Sequence, residues 1–332
     1  MSASLNGIHH VTAICSDPQR NLDFYVELLG LRLVKKTVNF DDPGTYHFYY
    51  GDGIGSPGTI MTFFAWAGLP PMVSGQGRQG TGQIIATSFS IPAQSYSYWI
   101  DRLAAAAVSF DAGEARFGEH VIAFQDPDGL PLELVAQRTD ALRAPWVDGP
   151  VPLEHAIRGF AGATLCLSGY ENTAELMTGT LGFREVGQEG SRFRFHAGKG
   201  HEAAAIDLLC MPEEHPGRMG IGVAHHIAWR TPSSEDQLRW RAVIADGGYD
   251  VTPVLDREYF ESIYFREPGG VLFEIATDAP GFIVDEPRET LGAELKLPPW
   301  LEPRRERIEA RLAEVHIPIK AARTASPFSE SR

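Results

Sequence analysis

Gly7-Ile8-His9-His10-Val11-Thr12 returns 152 residues later as Gly159-Phe160-Ala161-Gly162-Ala163-Thr164. At the same offset Leu29-Gly30-Leu31 returns as Leu181-Gly182-Phe183. A second pair runs alongside the first. With Pro92 set on Pro232, Gln83–Ile91 falls on Val223–Thr231 and, after a one-residue gap, Trp99 falls on Trp240. Asp126-Pro127-Asp128-Gly129-Leu130-Pro131-Leu132-Glu133 then falls on Glu267-Pro268-Gly269-Gly270-Val271-Leu272-Phe273-Glu274. The opening segments are apolar and read as strands, and the closing ones as a hairpin turn followed by a strand ending on Glu. Between them Pro18–Leu29, Ser95–Ala107, Asn172–Leu181 and Ser234–Asp246 read as helices. Gly30 and Gly182 are placed to end two of these in the left-handed conformation. Any one of these matches is weak alone, but four in consistent order predict four units of strand, helix and three strands, starting near residues 5, 82, 157 and 222. The expected fold class is α+β, built from four βαββ units. Residues 1–138 form a first domain and 155–290 a second, with a proline-rich linker at 139–154 and a C-terminal helix and disordered tail at 291–332.

Composition narrows the partners. The chain has 332 residues, 43% of them hydrophobic, enough for a full core. A net charge of −14 lacks the basic stripe that nucleic acid requires. No apolar run reaches membrane-spanning length, and Met1-Ser2-Ala3-Ser4 opens no signal peptide. Cys15, Cys166 and Cys210 show no CxxC spacing, and their odd number argues against a disulfide framework. They read as reduced core thiols of a cytoplasmic protein.

The repeat also sorts the doubled histidines His9-His10 and His225-His226. Successive strand residues face opposite ways. His10, Ala86, Gly162 and His226 are equivalent. Two residues on stand Thr12, Ser88, Thr164 and Ala228, all small; three residues on stand Ala13, Phe89, Leu165 and Trp229, mostly bulky. The bulky face should pack on the helices, and the small face leaves room for a ligand. His10 and His226 are therefore the metal candidates, and strict alternation turns His9 and His225 away. Glu274 closes the fourth unit, and a carboxylate ending an apolar strand needs a partner. Two histidines and a carboxylate make the facial set that holds non-haem Fe(II) with open positions. Units one and four together own that set. Units two and three keep only Glu133. Unit one should therefore pair with four, and two with three, giving one metal site per chain.

The βαββ units and the His10, His226, Glu274 set resemble the vicinal oxygen chelate superfamily. The chain is most similar to its ring-cleaving dioxygenases of the hydroquinone and chlorohydroquinone 1,2-dioxygenase type, together with glyoxalase-like relatives. The resemblance rests on Gly7–Thr12, Pro57-Gly58-Thr59-Ile60-Met61-Thr62, Pro152–Gly159, Tyr259-Phe260-Glu261-Ser262-Ile263-Tyr264 and Pro268–Glu274, and covers residues 5–300. It implies Fe(II), less often Mn(II), on the triad, with His9, Thr12, His225, Arg257 and Tyr264 in supporting roles. One departure is Gly162, where some relatives carry larger residues.

Ring cleavage of the extradiol type needs open metal positions, a base for a phenolic proton and an acid. His225 and Tyr264 are the candidates for proton transfer, and Arg257 for holding an anionic oxygen. The expected partners are a small aromatic diol and O₂, in a homodimer or higher homo-oligomer. Two other readings compete: a glyoxalase-like metal-dependent lyase or isomerase, which typically uses four protein ligands, and a non-catalytic binding protein for a small aromatic. Gly75–Gly82 reads as a flexible connection or pocket rim. His47, His120, His196, His201 and His215 fall on no ligand position and receive no role. His155 should fix backbone in the linker, and Pro303–Val315 should form an amphipathic helix covering a sheet edge or contacting a second subunit.

Overall fold

The computed structural model describes residues 4–66, 75–113, 115–137, 143–198 and 204–318. Residues 139–142 of the expected linker, His201 and the 319–332 tail lie outside them. Unit one is β1 (Ile8–Cys15), α1 (Pro18–Leu22), β2 (Arg32–Val38), β3 (Tyr46–Gly51) and β4 (Ile60–Ala65). Unit two is β5 (Gln83–Pro92), α2 (Tyr96–Ala105), β6 (Phe110–Asp111), β7 (His120–Gln125) and β8 (Pro131–Gln137). Unit three is β9 (Phe160–Leu167), α3 (Glu171–Glu175), β10 (Arg184–Glu189), β11 (Arg192–Ala197) and β12 (Ala204–Cys210). Unit four is β13 (Ala224–Thr231), α4 (Ser234–Asp246), β14 (Leu255–Asp256), β15 (Phe260–Arg266) and β16 (Leu272–Pro280).

The expected α+β fold and unit pairing are what the structure shows. One eight-stranded sheet runs β14-β15-β16-β13-β1-β4-β3-β2, from units four and one. The other runs β10-β11-β12-β9-β5-β8-β7-β6, from units three and two. Each sheet is sewn at its middle by an antiparallel pair of first strands, β1 with β13 and β5 with β9. Each unit starts on a left-handed glycine, Gly7, Gly82, Gly159 or Gly222, with φ between 78° and 98°. A side chain there would be strained, so the glycines mark the turn into each first strand. Gly75–Gly82 is an ordered seam rather than a loose connection. It zips against the matching 215–221 loop through Gly77 N to Ile221 O and Gly217 N to Thr81 O, both 2.9 Å.

The face prediction holds. Ala13, Phe89, Leu165 and Trp229 lie in one large apolar core with helix residues such as Leu22, Trp99, Leu176 and Trp240. Helices α1 and α3 are one turn each and continue as π-helical turns over Asp23–Leu28 and Leu176–Thr180. Gly30 and Gly182 end them at φ 73° and 74°. His155 stacks on Tyr98 (centroids 4.1 Å apart), and its backbone carbonyl accepts from Trp99 Nε1 (2.9 Å).

The C-terminal reading needs correction. Only Arg305–Glu309 is α-helical, after a 3₁₀ turn at Glu302–Arg304. Beyond it, side chains of unit one take the backbone groups a longer helix would use. Tyr46 Oη donates to Ala313 O (2.9 Å), and Gln19 bonds both His316 N and His316 O (2.6 and 2.9 Å). The segment does cover a sheet edge: Ile308 and Leu312 pack with Val38 of β2, and a parallel bridge from Lys36 to Leu295 caps the same strand. Buried Lys35 ties the same segment down through Asp285 (2.6 Å) and Glu286 (2.7 Å). Among the described residues, no helix is long and apolar enough to cross a membrane.

In the turn before β8, burial pushes the Asp126 carboxyl up to about 6 from 3.8, against the Leu130 and Asp128 amides and the Tyr25 hydroxyl it accepts from. The folded chain thus takes this proton at higher pH than the unfolded chain. Stability from this group is fullest below pH 4 and is lost as pH rises towards 6. Asp126→Asn keeps the acceptor and loses the titration. Its stability relative to the parent should rise by up to ~3 kcal/mol between pH 4 and 7, read by denaturant unfolding at each pH. A difference independent of pH would contradict this.

Candidate metal centre

The β1–β13 seam carries two bulges. His9 is the extra residue between the Ile8–Trp229 and His10–Ala228 pairs, and His225 the extra residue between Thr12–His226 and Ala13–Ala224. The second sheet carries the same bulges at Ile85 and Ala161, so they belong to the repeat. A bulge bends the strand and re-aims side chains. Strict alternation would have sent His9 and His225 to the far face. Instead each meets its neighbour ring edge to edge: His9 Nδ1 to His10 Nδ1 at 2.9 Å, His225 Nδ1 to His226 Nδ1 at 2.8 Å. The parity expectation therefore fails for His225, which lines the cup. His9 is buried behind His10, against Phe260.

These contacts leave Nε2 of His10 and His226 pointing inward, 3.2 Å apart. Glu274 Oε2 stands 3.2 Å from the first and 2.9 Å from the second. All three residues are buried. Glu274 Oε1 accepts from Ser262 Oγ at 2.5 Å, while Oε2 has no hydrogen-bond partner. His9 gives His10 a partner for its Nδ1. With the shared proton on His10 Nδ1, His9 Nδ1 accepts it and His10 Nε2 is left as the atom that could ligate a metal. Glu274 is held well below the ordinary carboxylate range. Burial works against this, but the His10 and His226 rings that face it prevail. The result is three ligand atoms within 4.8 Å of one another, one of them a buried carboxylate oxygen that faces the two imidazole nitrogens. Such a set fits a divalent cation and little else, since an unpaired buried charge is costly.

The cup above the triad holds about 260 Å³. Its wall includes Thr12, His47, Tyr49, Phe64, His225 and Phe260, with Asn39, Phe40, Asp41, Arg257, Tyr264 and Leu272 also bordering it. Burial pushes the His225 ring down to about 3, and the His47 ring well down, so both are neutral. Burial and Glu274 push the Tyr264 hydroxyl up, keeping it protonated. Tyr264 lies beside Glu274 across the β15–β16 hairpin. Arg257 Nε is 3.4 Å from the Tyr264 oxygen.

His47 received no role from the sequence, yet it joins this wall. Its Nδ1 is 3.0 Å from Tyr49 Oη and its Nε2 is 2.8 Å from Thr62 Oγ1, which is 2.9 Å from Thr12 Oγ1. The signal for it was strand pairing: β3 sets Tyr49 on Thr62, and β4 sets Thr62 on Thr12. The same pairing shows what Thr62 is. It stands to Thr12 as Glu274 stands to Ala228. Thr62 thus fills the fourth ligand position, where a second carboxylate would complete a four-ligand site.

The other cup answers point by point. Its carboxylate positions hold Glu133, paired with Ser88, and Asp207, paired with Thr164. Arg116, the equivalent of Arg257, sits 2.5 Å from Glu133. Arg194 grips Asp207 at 2.7 and 2.9 Å and Glu119 at 2.6 Å, and Arg192 adds Thr164 and Asp207. Only about 10 Å³ remains. Gly162 stands where His10 does, and a Cβ there would come 1.9 Å from Ala205 O. The glycine departure thus reflects a closer approach of β9 and β12.

The sequence matches the family model of the Glyoxalase/Bleomycin resistance protein/Dioxygenase superfamily over residues 7–134 and 159–275. It is 49% identical to a Bacillus subtilis protein named "Putative ring-cleaving dioxygenase MhqO", over 94% of this chain and 97% of that one. It is 37% identical to the chlorohydroquinone/hydroquinone 1,2-dioxygenase of Sphingobium indicum, over 90% and 93%. A crystal structure described as a putative dioxygenase from B. subtilis superposes with a TM-score of 0.90 at 47% identity, covering 95% of this chain and 99% of that one. Maize glyoxalase I shares the fold alone, at TM-score 0.61 and 15% identity over 82% of this chain and 92% of that one. The chain belongs to the glyoxalase/dioxygenase superfamily, also called vicinal oxygen chelate, and within it to the ring-cleaving dioxygenases.

Glu133 is nearly buried, so its cation matters. Arg116→Met should lower stability by about 1–3 kcal/mol, discounted for the partial exposure of Arg116, and leave metal stoichiometry unchanged. Parallel loss of metal, read by elemental analysis of the folded variant, would show the two cups to be coupled.

Proposed function

We propose that the chain is an Fe(II)-dependent, extradiol-type ring-cleaving dioxygenase acting on a hydroquinone or catechol-like aromatic, with Mn(II) as the other metal its ligands suit. The observation that carries this is Glu274 Oε2, buried and facing two inward-pointing imidazole nitrogens at 3.2 and 2.9 Å. His10, His226 and Glu274 would hold the metal. Bound there, Fe(II) supplies the redox centre at which substrate oxygen and O₂ are brought together. Thr62 at the fourth position favours three protein ligands over the four of a glyoxalase-like lyase. A cup of about 260 Å³ lies at the small end for ligand sites and suits one ring. The sequence relative named for hydroquinone cleavage supports the substrate class.

The remaining residues divide the proton work. With metal on His226 Nε2, that ring's proton lies on Nδ1 and is given to His225 Nδ1. His225 then carries its own proton on Nε2, the nitrogen left for the cup. Tyr264 remains a protonated donor. Neither rests as a base, and the neutral His225 Nε2–H and the Tyr264 hydroxyl act as hydrogen-bond donors to oxygen in the cup. Together with the Arg257 cation, these donors suit an arriving phenolate oxygen. Thr12 receives the end of the Tyr49, His47, Thr62 hydrogen-bond chain, and His9 keeps His10 in its ligating tautomer.

The test is O₂ uptake by Fe(II)-loaded protein, prepared anaerobically, with hydroquinones and catechols. The expected result is one O₂ per ring opened. Hemithioacetal turnover under Zn²⁺ or Ni²⁺ without O₂ uptake would overturn the reading in favour of the lyase. His226→Ala should stay folded by circular dichroism, lose stoichiometric iron, and lose at least a hundredfold in activity. Iron retained at one per chain would remove His226 from the ligand set.

A further inference from the structure

Arg257 and Arg116 occupy one repeat position, and each follows its own carboxylate. Arg116 turns inward to Glu133. Arg257 has no such option, because Ser262 holds one oxygen of Glu274 and the other faces His10 and His226. It turns across the mouth of the cup instead. Its guanidinium lies over the Tyr264 ring, 5.5 Å from the centroid, and its Nη1 meets Asp41 Oδ2 at 3.1 Å. Asp41 comes from the β2–β3 loop, and its side chain is 76% exposed. The loop is pinned from both sides. Asn39 Oδ1 accepts from Asp41 N at 3.0 Å, and Phe40 meets Trp300 edge to face at 5.7 Å. The aspartate is thus presented to Arg257 by an anchored loop.

This arrangement has a consequence for charge. Glu274 and a divalent metal would leave the floor with one positive charge, and Arg257 adds a second at the mouth. Asp41 cancels one at the rim. A diol bound as a monoanion needs only the floor. A ring bearing a further carboxylate would seek Arg257 and meet Asp41 already there. Asp41 is mostly in water, so the ion pair itself is weak, but the anchored loop keeps its charge beside Arg257 and a second carboxylate there is repelled.

We propose that Asp41 is the specificity determinant of the cup: by occupying the outer side of Arg257 it admits diols without an acidic substituent and turns away carboxylated dihydroxybenzenes. This rests on the dioxygenase reading for its substrates, while the charge argument stands on the rim alone.

The experiment compares hydroquinone with 2,5-dihydroxybenzoate in the Fe(II)-loaded parent, Asp41→Asn and Asp41→Glu. In Asp41→Asn, kcat/KM for the carboxylated ring relative to hydroquinone should rise about tenfold, mostly through KM, and the gain should shrink at high salt. Asp41→Glu, which keeps the charge, should retain most of the exclusion. A ratio that stays within twofold of the parent in Asp41→Asn overturns the proposal, as does an equal rise in Asp41→Glu. Anaerobic calorimetry of 2,5-dihydroxybenzoate binding to the same proteins separates the two levels of inference. If the parent consumes no O₂ with any diol, the dioxygenase reading fails. Tighter binding of the carboxylate by Asp41→Asn would still support the role of Asp41, and equal binding would overturn it.

Discussion

The antiparallel seam between β1 and β13 is the constraint on which the site depends. It brings His10 within 3.2 Å of His226 across 216 residues of chain. It also carries the two bulges that give each ligand a neighbouring ring to hold its tautomer. Without the bulges the doubled histidines would face opposite sides of the sheet, and each ligand would lose its Nδ1 partner. The remaining parts follow from there. β16 enters beside β13 and delivers Glu274, β4 enters beside β1 and delivers Thr62, and β15 brings Ser262 and Tyr264 to the carboxylate. Ligand geometry is thus fixed by sheet register rather than by loops, as a rigid metal site requires.

The two cups show the same backbone put to two uses. Both have bulges at matching places and both keep a carboxylate at the end of a unit. In one the carboxylate faces imidazoles and keeps an oxygen free. In the other, three arginines satisfy every carboxylate, and a glycine lets the strands close until almost no volume remains. Ion pairing and closure make the second cup a structural element. The difference turns on a few side chains: His for Gly, His for Ala, Thr for Asp.

Much of this was legible in the sequence because the repeat is. Offsets in Gly7–Thr12 and Asp126–Glu133 predicted the units, their pairing and the residues that converge. Side-chain size at two register positions separated core face from cup face. What escaped depended on register between strands, which no single segment encodes. The bulge that turns His225 into the cup adds one residue to a pairing and leaves no compositional mark. His47, Thr62 and Asp41 join the site from β3, β4 and the β2–β3 loop, where the sequence offered no matched segment to align. The C-terminal helix came out short because its backbone partners lie on unit one, far off in sequence.

The order of strands in the two sheets also bears on how the chain reaches this state. Units two and three are contiguous, so the β5–β9 sheet can form from one uninterrupted stretch. Units one and four flank it. Once the inner sheet has formed, it draws residue 66 and residue 222 together, and the loop that must close to join β1 and β13 becomes much shorter. The catalytic half is then the late half of folding. Strand β1 is made before the other strands but waits for unit four, the edge that β13 will cover exposed in the meantime. The three candidate ligands of such a site cannot meet before unit four has been made.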